Sequence, residues 1–69
     1  MTVSARNLIP GKVVKVEHGA VNSEITIEAE GGVQIVSIIT RHSAQNLDLE
    51  VGKQVYAVVK ASNVMLATD

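Results

Sequence analysis

A stretch of alternating residues followed by two glycines constrains the fold of this chain most strongly. Between Val21 and Glu30, the apolar residues Ile25, Ile27 and Ala29 alternate with charged or hydroxyl residues. A period of two places successive apolar side chains on one face of an extended strand. Gly31-Gly32 then supplies the positive φ angles that a tight hairpin requires. The segment therefore predicts a half-buried strand that turns back into a second strand.

Further strands are predicted on both sides of this hairpin. The first covers roughly Ser4 to Glu17, where Pro10-Gly11 indicates either a bend or a turn, and His18-Gly19-Ala20 is typical of a turn. After the glycines, strands are predicted at Val33 to Ile39, Gln54 to Val59 and Val64 to Ala67.

A short helix is predicted between the third and fourth strands. Thr40 is a suitable cap for it, and we expect Leu47 and Leu49 to lie under the sheet. Five short strands with one helix in this place are typical of an all-β, five-stranded OB-type Greek-key barrel. An SH3-like barrel is the alternative, and the position of the helix argues against it. Residues 1–69 form one predicted domain.

The size and composition of the chain predict an oligomer. A domain of 69 residues buries only about 60% of its unfolded surface, so it needs disulfides, a structural metal or association with other copies. The chain has no cysteine, and its two histidines are far apart in sequence. Because it also lacks Phe and Trp, its apolar area must come from aliphatic residues shared between copies.

Several classes of function are disfavoured. No apolar stretch approaches the roughly 20 residues of a membrane span, and the N-terminal residues do not resemble a signal peptide, so we expect a cytoplasmic protein with no membrane partner. No serine, histidine and acid are arranged for nucleophilic catalysis, so we expect no enzyme. The polar face of the alternating strand carries Glu24, Glu28 and Glu30, which we expect to be exposed to solvent. We likewise expect Lys12 and Lys15 to be exposed on the first strand, and Met65 to fill the core.

Single-stranded nucleic acid is the usual ligand of many OB-type barrels, which hold it by aromatic stacking and a basic groove. Tyr56 is the single aromatic residue here, and the formal net charge is −1. We therefore expect no nucleic-acid partner. A regulatory interaction module remains a further alternative.

Three polar stretches combine hydroxyl or amide side chains with a cation and contain no acid. They are Ser4-Ala5-Arg6-Asn7, Thr40-Arg41-His42-Ser43 and Lys60-Ala61-Ser62-Asn63. The oxygens of a tetrahedral oxyanion only accept hydrogen bonds, so N–H groups, hydroxyls and cations are suitable partners. These stretches are candidates for an oxyanion site, with no site for a bare metal cation and no covalent cofactor.

The same stretches resemble a known family. SARNLIPGKV, ITRHSAQNLDLEVGK and VKASNVMLAT are similar to segments of the molbindin (Mop) domain, a molybdate-type TOBE domain. The resemblance extends over nearly the whole chain. It implies an OB-type domain that assembles as a hexamer, a trimer of dimers, binds molybdate or tungstate at subunit interfaces, and serves in intracellular molybdenum storage or homeostasis.

The resemblance also implies two classes of oxyanion site. The first joins two parts from one side of an interface to a turn from a neighbouring subunit, and corresponds here to Ser4, Arg6, Lys60, Ala61 and Ser62 with Thr40 and Ser43. The second lies near the three-fold axes at the first hairpin turn, and corresponds to His18, Asn22 and Ser23.

Overall fold

The strands of this chain form one antiparallel sheet, curved into a half-barrel, in a computed structural model that describes residues 4–69. The bounds are Asn7–His18 for β1, Asn22–Ala29 for β2, Gln34–Thr40 for β3, Arg41–Asn46 for α1 and Gln54–Val59 for β4. The order of the strands across the sheet is β3-β2-β1-β4. The helix α1 lies between β3 and β4 in sequence, as predicted.

The central strand β1 pairs with a neighbour on each side. Gly11 lies opposite Ala29 of β2 and Val55 of β4, so Pro10-Gly11 is part of a continuous strand and forms no turn. A Cβ atom at Gly11 would lie 2.5 Å from Cγ2 of Ile27. The absence of a side chain therefore allows β2 to approach closely. An irregularity between Val13 and Lys15 shifts the pairing with β2 by one residue.

The core lies on the concave face of the sheet. Val13 and Ile25 are fully buried at its centre, with Ile27 and Ala57 beside them. Leu49 packs against this cluster as predicted, because the chain returns beneath the sheet after α1. Leu47, at the C-terminal cap of α1, lines the same concave face but is 56% exposed, so it lies under the sheet without being part of the buried core.

One turn and one helix cap predicted from local residue chemistry are confirmed. Gly31 and Gly32 both have a φ angle of 83°, a conformation that glycine adopts without the steric cost of a side chain. Thr40 caps α1, because its side chain accepts a hydrogen bond from the backbone N–H of Ser43. On the alternating strand, Glu28 is exposed and Glu24 is half-buried.

The predicted fifth strand is not present in the single chain, whose described residues form four strands. Val64–Ala67, here called the tail, follows a short 3-10 helix at Ala61–Asn63 and has no regular structure. Met65 and Leu66 are each 92% exposed, so the prediction that Met65 fills the core is wrong for this chain alone. A strand needs a neighbour for its backbone hydrogen bonds, and the tail has none within the sheet of residues 4–69.

An apolar groove of about 640 Å³ remains open along the concave face. Its walls are the edge strands β3 and β4, which contribute Ile35, Ser37, Ile39, Val55, Ala57 and Val59. Within residues 4–69, no helix has the length and apolar character needed to cross a bilayer.

Candidate functional site

The first group of predicted site residues meets at one end of β1. Asn7 lies opposite Val59 at the last pair of the β1–β4 ladder, so Arg6 and Lys60 leave the sheet side by side. Both side chains are exposed, as are those of Ser4 and Ser62. We call Ser4, Arg6 and Lys60–Ser62 the cationic end. The pairing of two strands thus brings together two cations that are far apart in sequence.

The corner after β4 adds backbone donors to the cationic end. Asn63 donates its N–H to the carbonyl oxygen of Lys60 at 2.8 Å, which closes one turn of 3-10 helix. Within such a turn the N–H groups of Ala61 and Ser62 have no partner in the turn itself, and the turn and loop hydrogen bonds among residues 4–69 give them none. The side-chain hydrogen bonds found among residues 4–69 involve no residue of the cationic end. Its donors are therefore open to solvent or to a ligand.

The second group lies where β3 passes into α1. Thr40 Oγ1 donates to Ser43 Oγ at 2.9 Å and accepts from the Ser43 N–H at 3.0 Å. This pair fixes both hydroxyl groups and leaves the hydroxyl hydrogen of Ser43 free to donate outward. We call Thr40–Ser43 the hydroxyl end. The hydrogen bonds that cap α1 thus hold the Ser43 hydroxyl, a hydrogen-bond donor, in a defined position.

The cationic end and the hydroxyl end lie at opposite ends of β1. Thr40 pairs with Asn22 at the start of β2, and His18 at the close of β1 pairs with Ser23. The cationic end adjoins Asn7, where β1 begins. A strand of 12 residues extends over roughly 35 Å. The structure therefore does not bring the two groups together within one chain.

The residues of the second predicted site lie instead beside the hydroxyl end. Asn22 is exposed opposite Thr40, and His18 is exposed at the last position of β1. Ser23 is 1% exposed, and its Oγ atom lies 2.7 Å from Nδ1 of His18. In the isolated chain the Ser23 hydroxyl is thus engaged by the histidine, while Asn22 is accessible from solvent.

Arg41 links the hydroxyl end to the first hairpin turn, a role that sequence reasoning missed. Its backbone N–H donates to the carbonyl oxygen of Val21 at 2.8 Å, and its Nη1 atom donates to the carbonyl oxygen of Gly19 at 3.4 Å. The available signal was the position of the arginine between Thr40 and Ser43 in a polar stretch. Its partner lies 22 residues away in sequence, so only the sheet pairing identifies the contact.

The chemistry of both ends suits an anion better than a cation. None of the ten candidate residues is acidic. Within residues 4–69, no group of three histidine, cysteine or acidic side chains is placed to hold a metal ion. The apolar groove contains no residue of the cationic end and no residue of the hydroxyl end. The candidate site is therefore separate from the apolar groove.

Comparison with known proteins agrees with the fold. The TOBE domain family matches residues 3–66, which is nearly the whole chain. The chain belongs to the TOBE domain family. The resemblance noted in its sequence is thereby confirmed.

Relatives of similar length carry names that refer to molybdenum. Molybdenum-pterin-binding protein 2 of Clostridium pasteurianum is 42% identical over 66 residues, covering 96% of this chain and 97% of the relative. A high-resolution structure of a molybdate-binding protein from Sporomusa ovata superposes with a TM-score of 0.92 at 32% identity, covering 99% of this chain and 100% of that one.

A third similar structure is that of the cytoplasmic molybdate-binding protein ModG with molybdate bound. It has a TM-score of 0.90 and 43% identity, and the match covers 94% of this chain and 46% of ModG. All three relatives are named as binding proteins. The prediction that this chain is not an enzyme is therefore confirmed by its family.

Proposed function

We propose that this protein binds molybdate or tungstate at boundaries between copies of itself. The assembly is a homo-oligomer, a hexamer built as a trimer of dimers, and it stores or buffers molybdenum in the cytoplasm. The separation of the cationic end from the hydroxyl end carries this proposal. One chain holds both halves of an acid-free donor set, and the length of β1 lies between them.

Charge and hydrogen-bonding capacity match a tetrahedral dianion. Arg6 and Lys60 together carry two positive charges, which offset the two negative charges of molybdate. Hydrogen bonds to charged groups are shorter and stronger than those between neutral groups. The hydroxyls of Ser4 and Ser62 and the free N–H groups of the corner then fix the orientation of the anion. A carboxylate would repel the ligand, and the candidate set has none.

Two-fold symmetry provides a direct way to complete the site. In an isologous dimer the same surface of each chain faces the other in reversed order. The cationic end of one chain then meets the hydroxyl end of its partner, and the reverse contact forms a second identical site. Because Thr40 and Ser43 are already held by their mutual hydrogen bonds, little ordering is needed when the anion binds.

The turn formed by His18, Asn22 and Ser23 is proposed as a second anion site near the three-fold axes. Asn22 is accessible in the single chain, and Arg41 supplies positive charge nearby through its contact with the turn. Use of the Ser23 hydroxyl requires release of its contact with His18.

The names of several relatives suggest a molybdenum-bound pterin as a second candidate ligand. A pterin ring presents N–H donors as well as a flat face, so it calls for acceptor groups and a stacking surface. The cationic end offers donors, and the aromatic residue Tyr56 lies elsewhere, on β4. Stacking with single-stranded nucleic acid is disfavoured for the same reason. The free oxyanion therefore fits the described residues better.

Native mass spectrometry with metal analysis tests the proposal. We expect an oligomer of six chains whose mass rises in discrete steps on addition of micromolar molybdate or tungstate. Matched samples receive sulfate or a free pterin. A monomer without mass change in molybdate would contradict the proposal. A mass increase with the pterin alone would favour the second ligand, and a gel shift with single-stranded DNA would favour the nucleic-acid alternative.

A further inference from the structure

The first hairpin turn, residues 19–21, is flanked by a serine whose hydroxyl group is already engaged. Ser23 is 1% exposed, and its Oγ atom lies 2.7 Å from Nδ1 of His18. The side-chain hydrogen bonds found among residues 4–69 give Ser23 no other partner. A buried hydroxyl hydrogen without an acceptor is costly, so Ser23 donates it to Nδ1. The Ser23 hydroxyl is therefore not presented to an anion.

His18 lies beside acidic side chains. Its ring lines a polar recess together with Gln45, Asp48 and Glu50, between the end of β1 and the segment that follows α1. The two carboxylates would repel an oxyanion placed in this recess. Of the three residues that the resemblance assigns to the second site, Asn22 alone is both exposed and remote from this pair of side chains in its contacts.

Arg41 presents a positive charge to the same turn. Its Nη1 atom donates to the carbonyl oxygen of Gly19 at 3.4 Å, and its backbone N–H donates to the carbonyl oxygen of Val21 at 2.8 Å. A carbonyl group is neutral, so the contact with Gly19 does not offset the charge. The guanidinium group carries several N–H donors in a planar fork, and two of them can bind two oxygens of one oxyanion.

The pairing of β2 with β3 brings an amide donor next to this cation. Asn22 lies opposite Thr40, the residue before Arg41, at the end of the ladder. The side chains of Asn22 and Arg41 are both exposed. A carboxamide supplies N–H donors to an oxyanion. One permanent cation and one amide thus adjoin the turn, and neither residue is acidic.

We propose that Arg41 and Asn22 bind the second anion, and that His18 and Ser23 support the turn without touching it. The ligand is a tetrahedral dianion, as at the first site. This inference rests on the proposed function for the existence of a second class of anion site, and it changes the residues that form the site. Without Arg41 the second site would contain no permanent cation, whereas the first has Arg6 and Lys60.

The charge of Arg41 is tested by Arg41→Gln, which keeps a polar side chain. Molybdate is counted by native mass spectrometry, and its affinity is measured by isothermal titration calorimetry. We expect fewer anions per oligomer and a dissociation constant of the second class raised by at least about tenfold. The class bound at Arg6 and Lys60 should be unchanged. Lys15→Gln, which removes an exposed cation from β1, is the matched control and should retain both classes.

Two further measurements separate contact with the anion from support of the turn. His18→Ala removes the imidazole ring and should retain the second class of anion. In ¹⁵N NMR spectra of the unsubstituted protein, molybdate should shift the side-chain N–H signals of Arg41 and Asn22. Without anion, the backbone signals of residues 19–21 should stay well dispersed in Arg41→Gln, which shows that the turn remains folded.

The inference is overturned if Arg41→Gln retains all its anions, or if His18→Ala or Lys15→Gln loses as many. Loss of binding together with collapse of the signals of residues 19–21 also overturns it, because Arg41 would then only hold the turn. A single class of anion in the unsubstituted protein contradicts this inference and leaves the interface site standing. Absence of any molybdate binding contradicts the proposed function as well.

Discussion

The two ends of β1 differ in how their polar groups are held. At the cationic end, Arg6 and Lys60 are exposed, and the described residues give them no side-chain hydrogen bond. At the other end, Thr40 and Ser43 bond to each other, and Arg41 is bonded to the first hairpin turn. The cationic end thus presents charged side chains without intramolecular hydrogen bonds among the described residues, and the hydroxyl end presents hydroxyl groups that intramolecular hydrogen bonds hold in place.

This difference predicts different responses to substitution. Removal of a side chain that makes no intramolecular hydrogen bond, such as that of Arg6, should weaken ligand binding and leave stability unchanged. Removal of a group that also caps a helix should lower both. A substitution in β1 between the two ends should mainly lower stability, since the pairing of β1 with β4 brings Arg6 beside Lys60. Three substitutions examine these expectations.

The largest effect is expected from Arg6→Ala. A hydrogen bond to a charged group contributes about 1.5–3 kcal/mol, which corresponds to between roughly tenfold and a hundredfold in affinity. We expect the molybdate dissociation constant, measured by isothermal titration calorimetry, to rise by this factor. The unfolding free energy should change by less than about 0.5 kcal/mol, because the side chain is exposed.

Lys12→Ala is the control for this substitution, since it also removes an exposed positive charge but from the middle of β1. Its molybdate affinity should remain near that of the unsubstituted protein. Equal losses for the two variants would mean that Arg6 acts through net charge alone, and the assignment of the cationic end would be wrong.

An intermediate effect is expected from Gly11→Ala in the strand that joins the two ends. The added Cβ would lie 2.5 Å from Cγ2 of Ile27 and 2.9 Å from the carbonyl oxygen of Glu28, so β1 and β2 must move apart. Overpacking of this kind costs about 1–3 kcal/mol. Urea unfolding should reveal the loss, whereas Lys15→Ala on the exposed face should be nearly neutral. An unchanged midpoint for Gly11→Ala would contradict the close approach of the strands.

Much of the fold was accessible from the sequence because most strands are half-buried. Alternation identified the strand that contains Ile25 and Ile27, and β4 has the bounds predicted for it. Leu47 lines the apolar groove but stays 56% exposed, because hydrophobicity alone does not indicate how much of a side chain a single chain covers. The tail was assigned as a strand from its apolar residues, yet a strand also needs a neighbour, and one chain does not supply it.

The chemical character of the candidate site could be predicted from the sequence, but the spatial arrangement of its residues could not. Acid-free stretches with hydroxyls and cations marked Arg6, Thr40 and Lys60 as residues of interest. Which of these residues lie together depends on the register of the strands. The pairing of Asn7 with Val59 places Arg6 beside Lys60, whereas the pairing of Asn22 with Thr40 places Thr40 at the far end of β1. Register reflects contacts between residues distant in sequence, so local patterns do not contain it.

The smallest effect, and the one that tests the hydroxyl end, is expected from Thr40→Ala. Loss of a threonine cap costs about 1 kcal/mol of stability. The same substitution frees Ser43 from both of its hydrogen bonds with Thr40, so the affinity for molybdate should also fall. Thr40→Ser keeps the hydroxyl and should preserve both properties. A stability loss in urea unfolding without any loss of affinity would show that Thr40 only caps α1, and the cationic end would then bind its anion without the hydroxyl end.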